Sequence, residues 1–418
     1  MWPMMKWSRR GFLASSAAVA GSFAAPRRTL AAKRFDSISG FGHTGNPYEE
    51  LGVPTLINCW GTVTILGGSL IRPEVEAVMS QASRHFVRIL DLQAAAGRKI
   101  AQLLELPTGY SAMVTSGAAA AIQSGLAGVL TGGNLDFVKQ LPDISGLKSE
   151  VIIQRSHRYD YESQIRTTGA GIVEIKTRDD LRKAVGERTA MMYFVNESNA
   201  AGEIKVDEWA RLAKQYKVPC FNDAAADTPP ISRLTEYARM EYDLVAFSGG
   251  KAMRGPQCAG LLIGRTDLIG HALLNGSPNS PSVGRGQKVG KEEIVGMVKA
   301  LELYVREDFD SLYRIWQARL ELISQQLLSV PGVRTSFFVP EIANHVPHME
   351  ISWDQGRIPL TPERVSQLLE ESKPQIVMPV SEDRSDNLVM SSFMLQPGED
   401  ELIARQLVRI FRDALAHS

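Results

Sequence analysis

The residues best placed to do chemistry lie in Val245-Ala246-Phe247-Ser248-Gly249-Gly250-Lys251-Ala252-Met253-Arg254-Gly255-Pro256-Gln257. An apolar, β-leaning run ends there in Ser-Gly-Gly and then presents a lysine. Open α/β sheets collect their ligands at the carboxyl ends of strands, and glycines let other groups approach the backbone closely. A lysine so placed can form a Schiff base with an aldehyde cofactor. Taken alone, it also reads as a surface lysine in a turn. The stretch is not a phosphate loop, because Ala252 stands where a magnesium-binding Ser or Thr is required.

Other strand ends add to this. Thr115-Ser116-Gly117-Ala118-Ala119-Ala120 passes through a Ser-Gly turn into an alanine-rich helix. Such a helix start offers N–H groups and a favourable dipole to a phosphate, although a tight turn wants glycine for steric reasons alone. Asn222-Asp223 closes Val218-Pro219-Cys220-Phe221. A carboxylate at that depth is costly unless paired. It either caps the next helix or pairs with the pyridine nitrogen of pyridoxal phosphate and keeps that ring an electron sink. In the second reading Lys251 is also the base that removes the substrate α-proton, Ser248 bonds the phosphate or the lysine, and Arg254 holds an anionic substrate group. His157 follows a further strand and either stacks on the cofactor ring or is a structural histidine. Asn196 and Asn199 end another strand and could meet the cofactor's phenolic oxygen or the substrate. The order Ser-Gly-Ala, Asp, Lys, each after its own strand, is more specific than any one of the three.

Elements able to position these groups are legible as an alternation. Strands are expected at Ser111–Thr115, Val151–Gln154, Ile172–Ile175, Met191–Val195, Pro219–Asn222, Leu244–Phe247 and Gly260–Ile263. Helices are expected at Ala118–Leu130, Tyr161–Thr167, Arg178–Ala184 and Val206–Tyr216, with Thr131–Lys148 an inserted loop. The pattern predicts an α/β fold with a seven-stranded, mostly parallel sheet covered on both faces. Its last two strands are joined too closely for a helical crossover and should be antiparallel. Before the sheet, Leu51–Cys59 reads as extended, and Pro73 opens a long helical pattern whose period shifts near Asp91 and runs to Leu104. After it, a long helix runs from about Leu301 to Leu328. Short strands follow near Arg334–Val339, His348–Trp353, Gln375–Pro379 and Leu388–Phe393, then a final helix, Glu399–Leu415.

Bulk properties narrow the function classes. Hydrophobic residues make up 44% and charged residues 22% of 418, as in an ordinary globular protein. A formal net charge of +0 gives no drive toward nucleic acid, which is not an expected partner. The scattered Cys59, Cys220 and Cys258 and the dispersed histidines support neither a disulfide framework nor a metal site. At the amino terminus, Ser8-Arg9-Arg10-Gly11-Phe12-Leu13 precedes an alanine-rich apolar run, the pattern of a twin-arginine export signal. That implies the twin-arginine export machinery as a partner and a periplasmic location, with cofactor loaded before export. The expected organisation is a signal peptide over 1–32 and a linker or arm over 33–60. A large cofactor-binding domain over 61–300 and a small C-terminal α/β domain over 301–418 follow.

Three stretches carry a resemblance: Gly61-Thr62-Val63-Thr64-Ile65-Leu66-Gly67-Gly68-Ser69, Val114-Thr115-Ser116-Gly117-Ala118-Ala119-Ala120, and Phe247-Ser248-Gly249-Gly250-Lys251 with Gly255-Pro256-Gln257. They resemble the selenocysteine-synthase-like family of fold-type-I pyridoxal phosphate enzymes, which includes L-seryl-tRNA selenium transferase and D-glucosaminate-6-phosphate ammonia lyase. The similarity runs from about Tyr48 to Leu301. It implies that Lys251 holds the cofactor, Asp223 meets the ring nitrogen, and Ser116-Gly117-Ala118 binds the phosphate. It also places Arg285 where family members often carry a basic residue for substrate or phosphate, and implies a homodimer or higher homo-oligomer with active sites between subunits. The selenium transferases carry an extra amino-terminal domain for tRNA before this core, whereas here only the expected signal and a short linker precede Tyr48. The resulting expectation is elimination of a β-hydroxyl from a small amino acid or amino-sugar acid, releasing ammonia. Racemisation, aldol cleavage, transamination and selenium transfer use the same cofactor and stay open. A non-catalytic exported binding protein on this fold is the reading from a different class.

Overall fold

The computed structural model describes residues 45–381 and 387–416. The expected signal, 1–32, and the first part of the expected linker lie outside the described residues. Residues up to Thr55 form one unit, whose described part carries a short helix, Pro47–Glu50, capped by the Asn46 side chain. The second unit begins at Leu56.

The second unit opens with β1 (Leu56–Asn58) and then builds the main sheet. Its strands are β2 (Tyr110–Thr115), β3 (Glu150–Gln154), β4 (Gly171–Ile175), β5 (Thr189–Val195), β6 (Cys220–Asp223), β7 (Leu244–Ser248) and β8 (Gly260–Arg265). They lie in the order β2-β8-β7-β6-β5-β3-β4. Only β8 runs against its neighbours, β2 and β7, because the 249–259 connection is too short for a crossover. Every residue of the central β5 is buried, as expected of a parallel strand covered on both faces.

Period-two alternation assigns the two faces. Val151, Ile153, Tyr193, Phe221 and Ala246 pack with the helix Ala118–Thr131. Ile152, Met192, Phe194, Cys220 and Val245 pack on the other side with Ile100, Trp209 and Met297.

A smaller C-terminal layer holds β9 (Val333–Phe338), β10 (His348–Trp353), β11 (Gln375–Val377) and β12 (Leu388–Ser391). The antiparallel order is β12-β10-β9, while β11 pairs in parallel with β1. Met349, Ile351 and Trp353 alternate inward from β10 and join a core that also contains Ile57 and Cys59. The segment just before the Gly61–Ser69 loop is therefore a strand of the C-terminal layer, not a free arm.

Several expected elements are divided. The pattern from Pro73 to Leu104 forms two helices, Pro73–Ala82 and Ile89–Leu103, and Phe86 between them is fully exposed. The long helix expected from Leu301 is Lys291–Tyr304 followed by Phe309–Leu327, restarted where the Asp308 side chain accepts from the Ser311 N–H. The expected loop Thr131–Lys148 contains a short helix, Leu135–Gln140, capped by Asn134. Local caps, invisible to hydrophobic periodicity, account for the last two differences.

Candidate active site

Strand register brings the candidate residues to one edge of the sheet. Thr115 at the end of β2 and Ser248 at the end of β7 both lie opposite Gly260, the first residue of β8. With neighbouring strands about 4.8 Å apart, the Ser116 and Lys251 turns leave the sheet about 10 Å from each other. Asp223 ends β6, paired with Ala246 of β7 and with Val195 of β5.

Close approach explains glycine at two positions. A Cβ on Gly260 would lie 2.6 Å from the Gly117 carbonyl carbon and 2.9 Å from the Ala118 nitrogen. The start of helix Ala118–Thr131 thus rests directly on the strand. Gly68, with φ +73°, would carry a Cβ 2.7 Å from the Gly250 carbonyl oxygen, so the Gly61–Ser69 loop sits against the lysine turn.

Lys251 lines a cavity of about 540 Å³ together with Thr62, Thr64, Asn344, His348 and Ser391. The walls come from the Gly61–Ser69 loop and the C-terminal layer. Burial lowers the Lys251 ammonium pKa, opposed by the charges of Asp223, Glu197 and Asp227. Ser116, Gly117, Asp223 and Ser248 do not line this cavity; they stand at the sheet edge from which Lys251 projects.

Asp223 is almost fully buried, at 6% exposure. Its Oδ1 accepts from the Ala225 N–H at 3.1 Å, and its Oδ2 accepts from the Tyr159 hydroxyl and, at 3.3 Å, from Tyr193. Burial raises its pKa, and the Tyr159 bond, the Ala225 bond and the Lys251 charge oppose the rise. Every hydrogen-bond partner is neutral, and a carboxylate offers about four lone-pair sites. A buried carboxylate with a free acceptor site and no bonded cation suits a protonated ring nitrogen. Gly117 has φ 91° and ψ 170°, and a Cβ placed on it would meet no atom beyond its chain neighbours within 4 Å. The helix start behind it presents unpaired N–H groups, as a phosphate requires. On these two observations the residues present fit pyridoxal phosphate.

Four expected site residues are elsewhere. His157 is 0% exposed, packs edge-on to Phe194 and accepts from the Val195 N–H through Nδ1 at 3.2 Å. Burial, then Lys205, pushes its pKa down to about 4. It is a neutral core histidine and not a stacking partner. Asn199 spends its Oδ1 on the Val206 N–H at 2.9 Å, steering the chain into helix Val206–Tyr216. Arg254 has φ 53°, its Nε donates to the Leu70 carbonyl at 2.8 Å, and it lines a separate cavity. Arg285 lies in the loop before helix Lys291–Tyr304 and does not line the Lys251 cavity.

Other groups stand where sequence reasoning did not look. Tyr159 and Tyr193 hold Asp223, and their hydroxyls also meet at 2.6 Å. Asp227 is buried and accepts through Oδ2 from Asn196 Nδ2 at 2.6 Å and from the Tyr237 hydroxyl at 2.5 Å. Burial pushes its pKa up to about 6 against those two bonds. Its spacing in Asp223-Ala224-Ala225-Ala226-Asp227 was the one available signal. His348 Nδ1 lies 2.8 Å from the Val346 carbonyl. A carbonyl only accepts, so Nδ1 carries the proton and the Nε2 of the neutral ring carries the lone pair. Burial lowers the His348 pKa, and the ring stacks on Phe338 at 5.2 Å.

Known proteins resemble this chain in sequence and fold. The aminotransferase class-V family model matches residues 75–371. D-glucosaminate-6-phosphate ammonia lyase of Salmonella typhimurium is 31% identical over 301 residues, covering 69% of this chain and 77% of that protein. L-seryl-tRNA(Sec) selenium transferase of Moorella thermoacetica is 25% identical over 425 residues, covering 88% and 85%. A solved structure of a D-glucosaminate-6-phosphate ammonia-lyase superposes with a TM-score of 0.77 at 26% identity, covering 89% of this chain and 99% of that one.

Proposed function

The chain belongs to the aminotransferase class-V family, and from that premise we propose that it is an exported pyridoxal phosphate enzyme. The proposed reaction is elimination of the β-hydroxyl of a small amino acid or amino-sugar acid, yielding ammonia and a 2-oxo acid. The observation that carries this reading is the shared sheet edge of Lys251, buried Asp223 and the Ser116–Ala118 helix start. The 31% identity to an ammonia lyase favours elimination over racemisation, aldol cleavage or transamination.

Bound pyridoxal phosphate supplies an electron sink that makes the bonds at an amino acid's α-carbon labile. Lys251 would hold the cofactor aldehyde, Asp223 would meet the ring nitrogen, and the N–H groups of the Ser116–Ala118 turn would hold the phosphate, with Ser248 available to the phosphate or the lysine. The lowered pKa of Lys251 keeps its Nζ available as a base. Freed when the substrate amine displaces it, Nζ takes the proton from the substrate α-carbon and delivers it to the β-oxygen, so that the C–O bond breaks with water as the leaving group. The released enamine product takes up one water to give the 2-oxo acid and ammonia. His348 Nε2 accepts a hydrogen bond from the substrate hydroxyl and orients it toward Nζ. The Gly61–Ser69 loop and the C-terminal layer wall the cavity and limit water.

The twin-arginine pattern at Ser8–Leu13 supports a periplasmic address. Exposed Phe86, Val87 and Leu90 at the break between two helices support a homodimer.

Purified protein should show the visible absorbance of a lysine-bound aldehyde cofactor. Borohydride reduction and digestion should place the label on the Lys251 peptide. A Lys251→Ala protein that keeps the band overturns the site assignment. A panel of β-hydroxy amino acids and amino-sugar acids is scored for ammonia, inverted amino acid and aldehyde. Ammonia is expected. Aldehyde or inversion without ammonia overturns the elimination, and protein purified without cofactor favours the binding-protein reading.

A further inference from the structure

The described lining of the Lys251 cavity contains no arginine, yet three arginines line a second cavity of about 370 Å³. This hollow lies behind Ala252, next in sequence to the lysine, and shares Phe393 with the first cavity. Arg72, Arg254 and Arg319 face it, with Glu307 as the one carboxylate among its lining residues.

The guanidinium commitments are few. Arg72 pairs with Glu307, and its Nε is buried without a hydrogen-bond partner. Arg254 gives its Nε to the Leu70 carbonyl, and Arg319 gives one Nη to the Leu395 carbonyl. Each guanidinium carries five N–H donors, so most of the donor capacity is unspent. Burial lowers the Arg254 pKa, and the Arg72 charge lowers it further. Glu307 pairs with Arg72, and Glu307 and Glu74 oppose the lowering at Arg254 while Glu399 lies near Arg319. Partly buried like charges remain costly, and a ligand anion inside the cavity relieves that cost. The lining also holds apolar side chains, among them Phe309 and Trp316, which share the helix Phe309–Leu327 with Arg319.

We propose that this second cavity is an anion-binding site for a small organic phosphate or carboxylate with an apolar body, held by Arg72, Arg254 and Arg319. The anionic head meets the guanidinium groups while the body lies against Phe309 and Trp316. The site does not depend on the reaction at Lys251.

Calorimetric titration of the cofactor-loaded protein at low salt, with phenyl phosphate and with inorganic phosphate, tests this. Phenyl phosphate should bind, and at least about tenfold more tightly than inorganic phosphate, the apolar side chains contributing at ~25 cal/mol per Å² buried. Arg254→Met and Arg319→Met should each weaken phenyl phosphate about tenfold or more, as loss of a charge-assisted bond does. Arg254→Lys should recover part of that loss. Circular dichroism and an unchanged cofactor band show that the variants are folded. Binding that is equal in Arg254→Met and wild type overturns the proposal, because the anion then sits outside this cavity. No phenyl phosphate binding up to about 10 mM, in a range where weak specific sites still register, also overturns it. Equal affinity for the two anions removes the organic part of the assignment.

Discussion

Acid titration of stability isolates the state of His157. Its ring is fully buried, and Nδ1 accepts the Val195 N–H, so protonating Nδ1 would break that bond inside the core. The pKa is about 4 in the folded chain against 6.5 ordinarily. Between those values the unfolded chain binds a proton that the folded chain refuses, so folding stability falls as pH falls. At about 1.36 kcal/mol per pH unit, the loss attributable to this one ring is ~2 kcal/mol at pH 5 and ~3 kcal/mol below pH 4. His157→Asn keeps an acceptor for Val195 without the titration. Urea unfolding of both proteins at pH 7.5, 6 and 5 measures the difference, since other groups titrate alike in each. Wild type should lose about 2 kcal/mol more than the variant between pH 7.5 and 5. A difference that does not change with pH refutes the buried, neutral assignment. A variant that folds but loses the cofactor band would return His157 to the cofactor.

Gly260→Ala should destabilise the fold by about 1–3 kcal/mol in urea unfolding, because its methyl group meets only backbone at Gly117, Ala118 and Phe247. Unchanged stability would mean the helix start moves freely on β8. His348→Phe removes the Nε2 acceptor while keeping an aromatic ring on Phe338. Turnover of a β-hydroxy substrate should fall about tenfold in kcat/KM with the cofactor band intact, as expected for one lost hydrogen bond, and His348→Gln should recover part of it. Asp227 has a folded pKa raised to about 6, so its favourable contribution is present below the unfolded value near 3.8 and lost as pH rises through 6. Asp227→Asn should therefore be ~3 kcal/mol more stable than wild type at pH 8 and equal to it near pH 3.5. Equal stability at both pH values would contradict the buried charge.

The main sheet was legible because strand and helix periods alternate cleanly and each strand is a short apolar run. Lys251, Asp223 and Ser116 were legible as punctuation at strand ends, where geometry is fixed by the sheet. His157 follows a strand too, but its surroundings are set by Phe194 and Val195 on β5, a contact no local pattern encodes. Arg254 follows Lys251 closely in sequence, but its Nε is bonded to the Leu70 carbonyl, a contact across 184 residues that no local pattern encodes. His348 and Asn344 reach the cavity from a layer whose docking on the sheet is a tertiary matter. Their sequence neighbours carry no sign of it.

The parallel pairing of Ile57 with Ile376 has a consequence for biosynthesis. On the ribosome, the sheet with Lys251 is complete well before residue 376 emerges, while the strand leading into the Gly61–Ser69 loop has no partner until then. A closure between such distant residues comes late in folding. Nascent chains released before that point would carry the lysine in a sheet whose cavity is still open to water. Such truncated chains would hold the reactive amine without the wall that confines its chemistry.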